Sequence, residues 1–376
     1  MGTISDKLMR IINTKEDIRQ ALISKGYDVP TSIPFKEYAK MILDLPCKVD
    51  SFPDIEGIVA RYSASGLTNE QMAANPVWVD KTGNGHDLQL KNFAWKGMSG
   101  VGGYVADIDE WGTNSTAAYF ERNSIKITAT FKENVSLGLL YHNIKLRQSC
   151  VLKVTGIPEG CDAFLDDRLG NRFYMSEDGV YEIIPSNFLA EALYFSIEKY
   201  PERWYGSKLT IEQLPLYPGA LVFDGVDDYG VCDNFPILTK EKGYTVVVLR
   251  QWDQDFLNTT LTGGLLSTRN YSTGEGVAFE KIESSNKGYW NLGAGGIIDF
   301  AKSPFTWQTS KQYNNVGILK GDKNHGKPLC VGCGLSGGQQ CGRFAIWELV
   351  FLDHDATEEE LNKIKDYFVI NIRHAG

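Results

Sequence analysis

The apolar residues of the first 46 positions recur at helical spacing in three short segments. Thr14 and Asp17 match the capping box that starts the second helix, and Gly26 matches its stop. The third helix is predicted from apolar side chains at i, i+3, i+4 and i+7, which are Phe35, Tyr38, Ala39 and Ile42. Because helices this short bury little area by themselves, we expect residues 1–46 to pack against another copy of the chain or a larger assembly.

Beyond a linker at residues 47–54, the helical period gives way to short strands. Apolar or alternating runs recur about every 8–12 residues, which is typical of an antiparallel β-sandwich. Between Ile125 and Phe131 every second residue is apolar, which predicts a half-buried strand. The other predicted core strands are Ile58–Tyr62, Val180–Ile184, Leu193–Ile197, Tyr244–Leu249 and Phe344–Leu352.

One late helix is predicted from Thr357 to Phe368. Thr357 and Glu360 have the spacing of a capping box. Leu361, Ile364 and Phe368 give the helix one apolar face, so we expect it to pack against the β structure that precedes it.

Length and composition indicate the number of domains and exclude nucleic acid as a partner. A chain of 376 residues fits two or three domains, and 38 glycines with 18 Tyr, 18 Phe and 8 Trp suit tight turns between aromatic strands. The net charge of −9 excludes broad binding to nucleic-acid backbones. No segment approaches the roughly 18–20 apolar residues of a membrane span. We expect no signal peptide, a cytoplasmic site of synthesis and mostly reduced cysteines.

Several separated motifs resemble the concanavalin A-like/laminin-G-like lectin sandwich family. The most specific is Gly219-Ala-Leu-Val-Phe-Asp-Gly-Val-Asp-Asp-Tyr229; a Gly-Asn-Gly loop at residues 79–88 precedes it. Ile58–Tyr62 resembles the opening strand of the family, and Phe344–Phe351, with the helix motif from Asp355, resembles its closing elements. The resemblance implies a mainly β fold with an antiparallel jelly-roll sandwich.

The interval between the Gly-Asn-Gly loop and Gly219 is longer than in that family. We therefore predict a sandwich built from residues 55–104 plus 217–373, split by an inserted smaller β-sandwich at residues 105–216. Insertion at an exposed loop whose ends lie close together is physically tolerated. The strand candidates of the insert are 124–131, 136–141, 150–155, 180–184, 192–198 and 208–214.

The N-terminal segment resembles short helical units at the start of tailed-phage fibre proteins, including those of crAss-like phages of Bacteroides. The matching positions are Thr14-Lys15, Ile18, Ala21-Leu22, Lys25-Gly26-Tyr27, Val29-Pro30, Pro34-Phe35 and Tyr38. This resemblance implies a structural protein of a phage virion. Residues 1–46 would dock it to other capsid or tail proteins, and the chain would form a homo-oligomer, either a trimer or a dimer.

The sequence offers no paired catalytic carboxylates. Retaining glycosidases of this fold carry a Glu-x-Asp-x-(x)-Glu strand that holds two carboxyl groups about 5–5.5 Å apart. The acids at Asp107–Glu110 and Asp224–Asp228 have other neighbours, and the second run suits an Asp-Gly turn. We predict that the protein is not an enzyme.

Two metal interpretations stay open. The family resemblance implies a calcium site made by Asp80, the carbonyl groups of Gly83 and Asn84, and Glu348. A Cys₃His zinc set can also be counted, from Cys330, Cys333 and Cys341 with His325. A single Cys-x-x-Cys is a weak signal, so we expect these cysteines to be buried or loop thiols.

The aromatic residues of the C-terminal half suggest a glycan-binding face. The candidates are Tyr271, Tyr289, Trp290, Trp307 and Tyr313, with the alternative that Trp290 and Trp307 belong to the core. The predicted function is adhesive, with a host surface glycan as partner. A bacterial carbohydrate-binding lectin and a virion-borne glycan depolymerase stay open as alternatives.

Overall fold

A computed structural model provides the structure of the chain, and contacts divide it into two compact units, Met1–Phe52 and Pro53–Gly376. It describes residues 14–16, 18, 19, 29, 34, 52–105, 118–123, 125–132, 144–145, 149–167, 169–184, 187, 192–198, 201–236, 238, 243–253, 263–267, 278–281, 287–290, 297–299, 305–309, 329–335 and 339–375.

The described part of the first unit is helical at residues 14–16, 18 and 19. The guanidinium of Arg19 donates to the carboxylate of Glu16 at 2.8 Å and to the carbonyl oxygen of Val29 at 2.9 Å. The remaining predictions for residues 1–46, including the third helix, lie outside the described residues.

Strands dominate the second unit. In chain order the described strands are β1 (Ile58–Ser63), β2 (Val77–Trp78), β3 (Leu88–Lys91), β4 (Gly100–Val101), β5 (Ala118–Asn123), β6 (Lys126–Phe131), β7 (Ile144–Lys145), β8 (Cys150–Thr155), β9 (Asp162–Asp166), β10 (Arg172–Met175), β11 (Gly179–Ile183), β12 (Ala192–Glu198), β13 (Lys208–Leu214), β14 (Leu221–Asp224), β15 (Tyr229–Cys232), β16 (Thr245–Trp252), β17 (Gly263–Ser267), β18 (Ala278–Lys281), β19 (Lys287–Trp290), β20 (Ile297–Asp299), β21 (Phe305–Thr309), β22 (Leu329–Val331), β23 (Cys333–Leu335), β24 (Gln339–Cys341) and β25 (Arg343–Leu352). The described helices are α1 (Asn69–Ala74), α2 (Pro201–Trp204) and α3 (Glu358–Ala375).

Two mainly antiparallel sheets enclose the larger hydrophobic core. One runs in the order β21-β16-β25-β14-β4, with β1 also paired to β25; the other runs β2-β3-β15-β22-β17-β18-β19-β20, with β23 and β24 attached. Tyr62 of the first sheet lies 5.6 Å from Trp78 of the second and 6.4 Å from Phe351, measured between ring centroids. All three side chains belong to one buried cluster. This mainly antiparallel β architecture confirms the predicted fold class.

Strands β5 to β13 pair with one another in the described part of the chain. Their sheets run in the orders β11-β8-β13-β6-β5 and β10-β9-β12-β7. Ile127, Ala129 and Phe131 are buried while Lys126 is exposed, which confirms the predicted alternation along β6. These side chains join a hydrophobic cluster drawn from residues 118–211. The boundaries of the predicted insert stay a prediction, and its strand candidate at 136–141 lies outside the described residues.

The C-terminal helix α3 begins as the sequence predicts. The hydroxyl and backbone N–H of Thr357 each donate to the Glu360 carboxylate at 2.8 Å, and the Glu360 N–H donates back to the Thr357 hydroxyl at 3.3 Å. Ile364 and Phe368 are buried, so the predicted capping box and apolar face are confirmed. None of the helices that the structure describes is long and apolar enough to cross a membrane.

Candidate functional sites

The Gly-Asn-Gly loop is fastened to β1 through a buried carboxylate. One oxygen of Asp80 accepts hydrogen bonds from the backbone N–H groups of Arg61 and Thr82, both at 3.0 Å, and from the Thr82 hydroxyl at 2.8 Å. The side-chain amide of Asn84 donates to the carbonyl oxygen of Val59 at 2.9 Å. The loop therefore takes its shape from hydrogen bonds within the chain.

Glu348 lies beside a guanidinium. Two nitrogens of Arg61 each lie 3.2 Å from a different carboxylate oxygen of Glu348, and Arg61 also donates to the Tyr367 hydroxyl at 2.9 Å. Burial raises the pKa of Glu348, and the charge of Arg61 acts against that rise. The neighbouring Trp347 donates its indole N–H to the carbonyl oxygen of Pro218 at 2.8 Å.

These contacts test the fit of calcium to its four predicted ligand residues. Calcium takes six to eight oxygen ligands, and carboxylates serve it best when their lone pairs face the ion. Here the Asp80 carboxylate accepts donors of its own loop, and Glu348 faces a cation that the chain supplies. The arrangement favours bracing of the loop, and calcium at Asp80, Gly83, Asn84 and Glu348 stays a prediction.

A different group of carboxylates could hold a metal ion. Among the described residues, one ligand atom each from Asp224, Asp227 and Asp228 lies within 4.8 Å of the others. Asp228 is fully buried and accepts from the Ser99 hydroxyl at 2.9 Å and from the Asp224 backbone N–H at 3.0 Å. Burial, together with the negative charge of Asp224, raises the pKa of Asp228 to about 7. An Asx turn from Asp224 to the N–H of Val226 at 2.7 Å agrees with the predicted Asp-Gly turn.

The structure describes three of the four predicted zinc ligands. Cys330, Cys333 and Cys341 are buried next to one another on β22, β23 and β24, and His325 lies outside the described residues. The six described cysteines are buried and carry no disulfide in the structure, and reduced thiols stay a prediction.

The predicted glycan-binding aromatics do not share one strand pair. Tyr271 and Tyr313 lie outside the described residues. The backbone of Tyr289 and Trp290 on β19 pairs with Glu280 and Phe279 of β18, while Trp307 on β21 pairs with Val247 of β16. The structure therefore places Tyr289 and Trp290 in one sheet and Trp307 in the other.

A group of polar and aromatic side chains on β9 and β10 was not predicted from the sequence. The ring of Phe164 lies 5.4 Å from the ring of Tyr174, and the guanidinium of Arg172 lies 4.8 Å above Phe164. Arg172 also contacts Asp166 at 2.8 Å and the Tyr174 hydroxyl at 3.3 Å. Tyr174 is 46% exposed. We call these four residues the Tyr174 cluster.

The sequence signal for the Tyr174 cluster is the two-residue spacing of its members on two strands. Phe164 and Asp166 are two residues apart on β9, and Arg172 and Tyr174 are two apart on β10, so each pair shares a face. In the ladder, Arg172 stands opposite Asp166 and Tyr174 opposite Phe164. Neither strand was predicted from the sequence. Unless β9 is known to pair with β10, the sequence does not show that these four residues lie together.

Comparison with known proteins adds little. No protein-family model matches the chain. No curated protein matches it. Among solved structures, the Trypanosoma rangeli sialidase in complex with sialic acid shares 8% identity at a TM-score of 0.23, over 65% of this chain and 61% of the sialidase chain. The receptor binding domain of botulinum neurotoxin D shares 9% identity at a TM-score of 0.15, over 83% of this chain and 52% of the other. The chain spans less than two thirds of either structure, and similarities at these TM-scores carry no functional argument.

Proposed function

We propose that this chain is a non-enzymatic, adhesive protein of a phage virion that binds glycans through its β domains. The observation that carries glycan binding is the Tyr174 cluster, which sets a half-exposed aromatic ring beside a charged pair. Aromatic rings pack against the apolar face of a sugar, while a guanidinium and a carboxylate exchange hydrogen bonds with its hydroxyl groups.

The position of the cluster favours an extended ligand. In the described residues β10 is the outermost strand of its sheet, so its outer side is open to a chain that runs alongside. A polysaccharide could lie along β10 and contact Tyr174 and Arg172 in turn. A host surface glycan is therefore the partner that we propose for this face.

The virion location rests on the sequence pattern of residues 1–46. We propose that this segment docks the chain to capsid or tail proteins and that the chain acts as a dimer or trimer. Mass spectrometry of purified particles tests the location, and particles made with a chain that lacks residues 1–46 test the docking. Loss of the truncated chain from particles is the expected result; its normal incorporation would overturn the docking role.

The glycan proposal is tested by binding of the purified protein to immobilised host capsular polysaccharide. We expect Tyr174→Ala to weaken binding about tenfold or more, because it removes the stacking ring. Tyr119→Ala is the matched control: this residue is 68% exposed and lies on β5, on another sheet. Equal binding by both variants, or no binding by the wild type, would overturn the proposal.

One observation bears on the depolymerase alternative. A carboxyl group with a pKa of about 7 next to a second carboxylate resembles the acid of a glycosidase, and Asp228 has both features. However, Asp228 is fully buried and bonded to Ser99 and Asp224, so a polysaccharide does not reach it. We expect no products from capsular polysaccharide. Products that disappear in Asp228→Asn would support the depolymerase instead.

Calcium enters the proposal through the family resemblance. The resemblance gives Asp80, Gly83, Asn84 and Glu348 as its ligands, and the group Asp224, Asp227 and Asp228 is a second place where carboxylate oxygens could hold a metal ion. Calorimetric titration of the metal-free protein with calcium chloride tests this point. No heat of binding would remove calcium from the proposal.

A further inference from the structure

We propose that Cys333 and Cys341 are a modification site, at which a peroxide oxidises the two thiols to one disulfide bond between β23 and β24. This site lies apart from the Tyr174 cluster and goes beyond the proposed glycan-binding function. It rests on the register of the two strands and on the place of each thiol in the core.

The strand register sets the two cysteines face to face. Cys333 of β23 stands directly opposite Cys341 of β24 in an antiparallel pair. The next pair along is hydrogen-bonded, since the N–H of Gly342 donates to the carbonyl oxygen of Gly332 at 3.0 Å. Cys333 and Cys341 are thus a non-hydrogen-bonded pair, the type in which Cα atoms lie about 4.5 Å apart. A disulfide bond spans Cα separations of roughly 4.4–6.8 Å, so the backbone of this pair is within its reach.

The two thiols lie on the same face of their strands. Residues directly opposite each other in a sheet point to the same side, and both cysteines belong to one buried cluster. The Cys333 thiol contacts the Cys341 thiol and lies 3.6 Å from the carbonyl oxygen of Asp228. Gly332 permits this close approach, because it has a φ of +101° and a side chain there would lie 2.6 Å from the same oxygen.

The other cysteines on described strands have ladder partners of a different residue type. These pairs are Cys150 with Ile183, Cys232 with Leu329, and Cys330 with both Val231 and Ser267. Within the described ladders, Cys333 and Cys341 are therefore the one pair of cysteines that stand directly opposite each other. Packing in the core accounts for a thiol such as that of Cys150, whereas an opposed pair can also form a covalent bond.

The reaction needs a two-electron oxidant, and a peroxide serves as one. Cys341 is 6% exposed and Cys333 is fully buried, so the peroxide reaches the Cys341 sulfur first. That sulfur attacks one peroxide oxygen, the O–O bond breaks, and Cys341 becomes a sulfenic acid as one water leaves. The Cys333 sulfur then attacks the Cys341 sulfur, the S–O bond breaks, and a second water leaves with the proton of Cys333. The two thiols lose two electrons to the peroxide, and a thiol reductant reverses the change.

Peptide mapping of the wild-type chain tests the site, because one tryptic peptide, residues 324–343, contains Cys330, Cys333 and Cys341. The reduced full-length protein is treated with hydrogen peroxide, then unfolded, alkylated and digested without reductant. We expect mass spectrometry to find this peptide two hydrogens lighter and alkylated at Cys330 alone. Reduction before alkylation should restore all three alkyl groups. Cys150 is the internal control and should be alkylated with and without peroxide.

Two variants identify the partners of the bond. Cys330→Ser keeps the opposed pair and should still form the disulfide, whereas Cys341→Ser removes one partner and should give no linked peptide. A disulfide that persists in Cys341→Ser would show that Cys330 is the partner of Cys333 and would overturn the proposal.

A second measurement on the wild type covers the case in which a variant does not fold. The urea midpoint of the peroxide-treated protein is compared with that of the reduced protein. We expect the oxidised midpoint to be equal or higher, because the bond joins two residues that the native register already sets opposite each other. Absence of the linked peptide from the wild type, or a midpoint that falls on oxidation, would overturn the proposal.

Discussion

Arg61 on β1 and Glu348 on β25 form a two-point ion pair across 287 residues of sequence, with both nitrogen–oxygen distances at 3.2 Å. The Glu348 side chain is 5% exposed and that of Arg61 is 15% exposed. Since Tyr367 of α3 also accepts from Arg61, one guanidinium joins the first strand, the last strand and the C-terminal helix.

The first prediction concerns this pair. Arg61→Met leaves the buried Glu348 carboxylate without its cation, so we expect a loss of about 3–5 kcal/mol in the free energy of unfolding, measured in urea. The double variant Arg61→Met/Glu348→Leu should recover much of that loss, because no unpaired charge is left inside. Glu359→Ala, which removes an exposed pair with Lys363, is the control and should leave the midpoint unchanged. Equal losses in the single and double variants would show that packing, and not charge, holds the strands.

The second prediction separates loop bracing from calcium binding at Asp80. Asp80→Ala leaves the partly buried N–H groups of Arg61 and Thr82 without their acceptor, which should cost about 1–3 kcal/mol. The loss should be the same in calcium chloride and in a calcium chelator. If calcium stabilises the wild type but not Asp80→Ala, Asp80 is a calcium ligand after all. Asp233→Ala, on an exposed residue, controls for the loss of a carboxylate.

The third prediction follows from the pKa of Asp228, which rises from its ordinary 3.8 to about 7 in the folded protein. Because the folded state holds this proton more tightly than the unfolded state, Asp228 contributes stability at low pH that is lost as the pH rises through about 7. Asp228→Asn removes the charge and should flatten this decline, with a gain on the order of 2–4 kcal/mol above pH 7.

An asparagine can keep both contacts, since its amide can donate to the Ser99 hydroxyl and accept from the Asp224 N–H. Urea midpoints measured from about pH 4 to pH 8 decide the matter. Asp366→Asn, on the exposed side of α3, should follow the wild-type curve. Wild-type and Asp228→Asn curves that run parallel across this range would show that Asp228 is ionised in the folded protein throughout.

The fourth prediction tests whether the two hydrophobic clusters fold separately. Gly156 has a φ of +91°, and a side chain there would lie 1.8 Å from the carbonyl oxygen of Lys208, so Gly156→Ala forces β8 and β13 apart. We expect the backbone N–H groups of these two strands to lose their protection from hydrogen exchange, while those of β16 and β25 keep theirs. Gly170→Ala is the control, because its φ is also positive but nothing lies within 4 Å. Loss of protection in all four strands would show one cooperative unit.

Local patterns could be predicted from the sequence to the extent that they depend on near neighbours. The alternation along β6 and the capping box of α3 arise from residues within a few positions of each other, and both are confirmed. The short strands β9 and β10 were missed because charged residues sit at their ends, as with Asp162 and Arg172.

Sites depend on which strands become neighbours, and periodicity does not determine that. Calcium at Asp80 and Glu348 stays a prediction, whereas their partners within the chain, a loop hydroxyl and the guanidinium of Arg61, could not be predicted from periodicity. Cys330, Cys333 and Cys341 could be counted in the sequence, but their contact depends on the glycine turn at Gly332 and on the pairing of β23 with β24. Groups of this kind can be identified only when the pairing and register of the strands are known.

In the described residues, the ladder partner of β1 is β25. At a synthesis rate of about 5–20 residues per second, a ribosome needs roughly 15–60 s to make the intervening chain. During that time β1 lacks its ladder partner, and Tyr62 has Trp78 but not yet Phe351 to pack against. Until β25 is made, the backbone N–H and C=O groups along that edge of β1 are open to pairing with another strand.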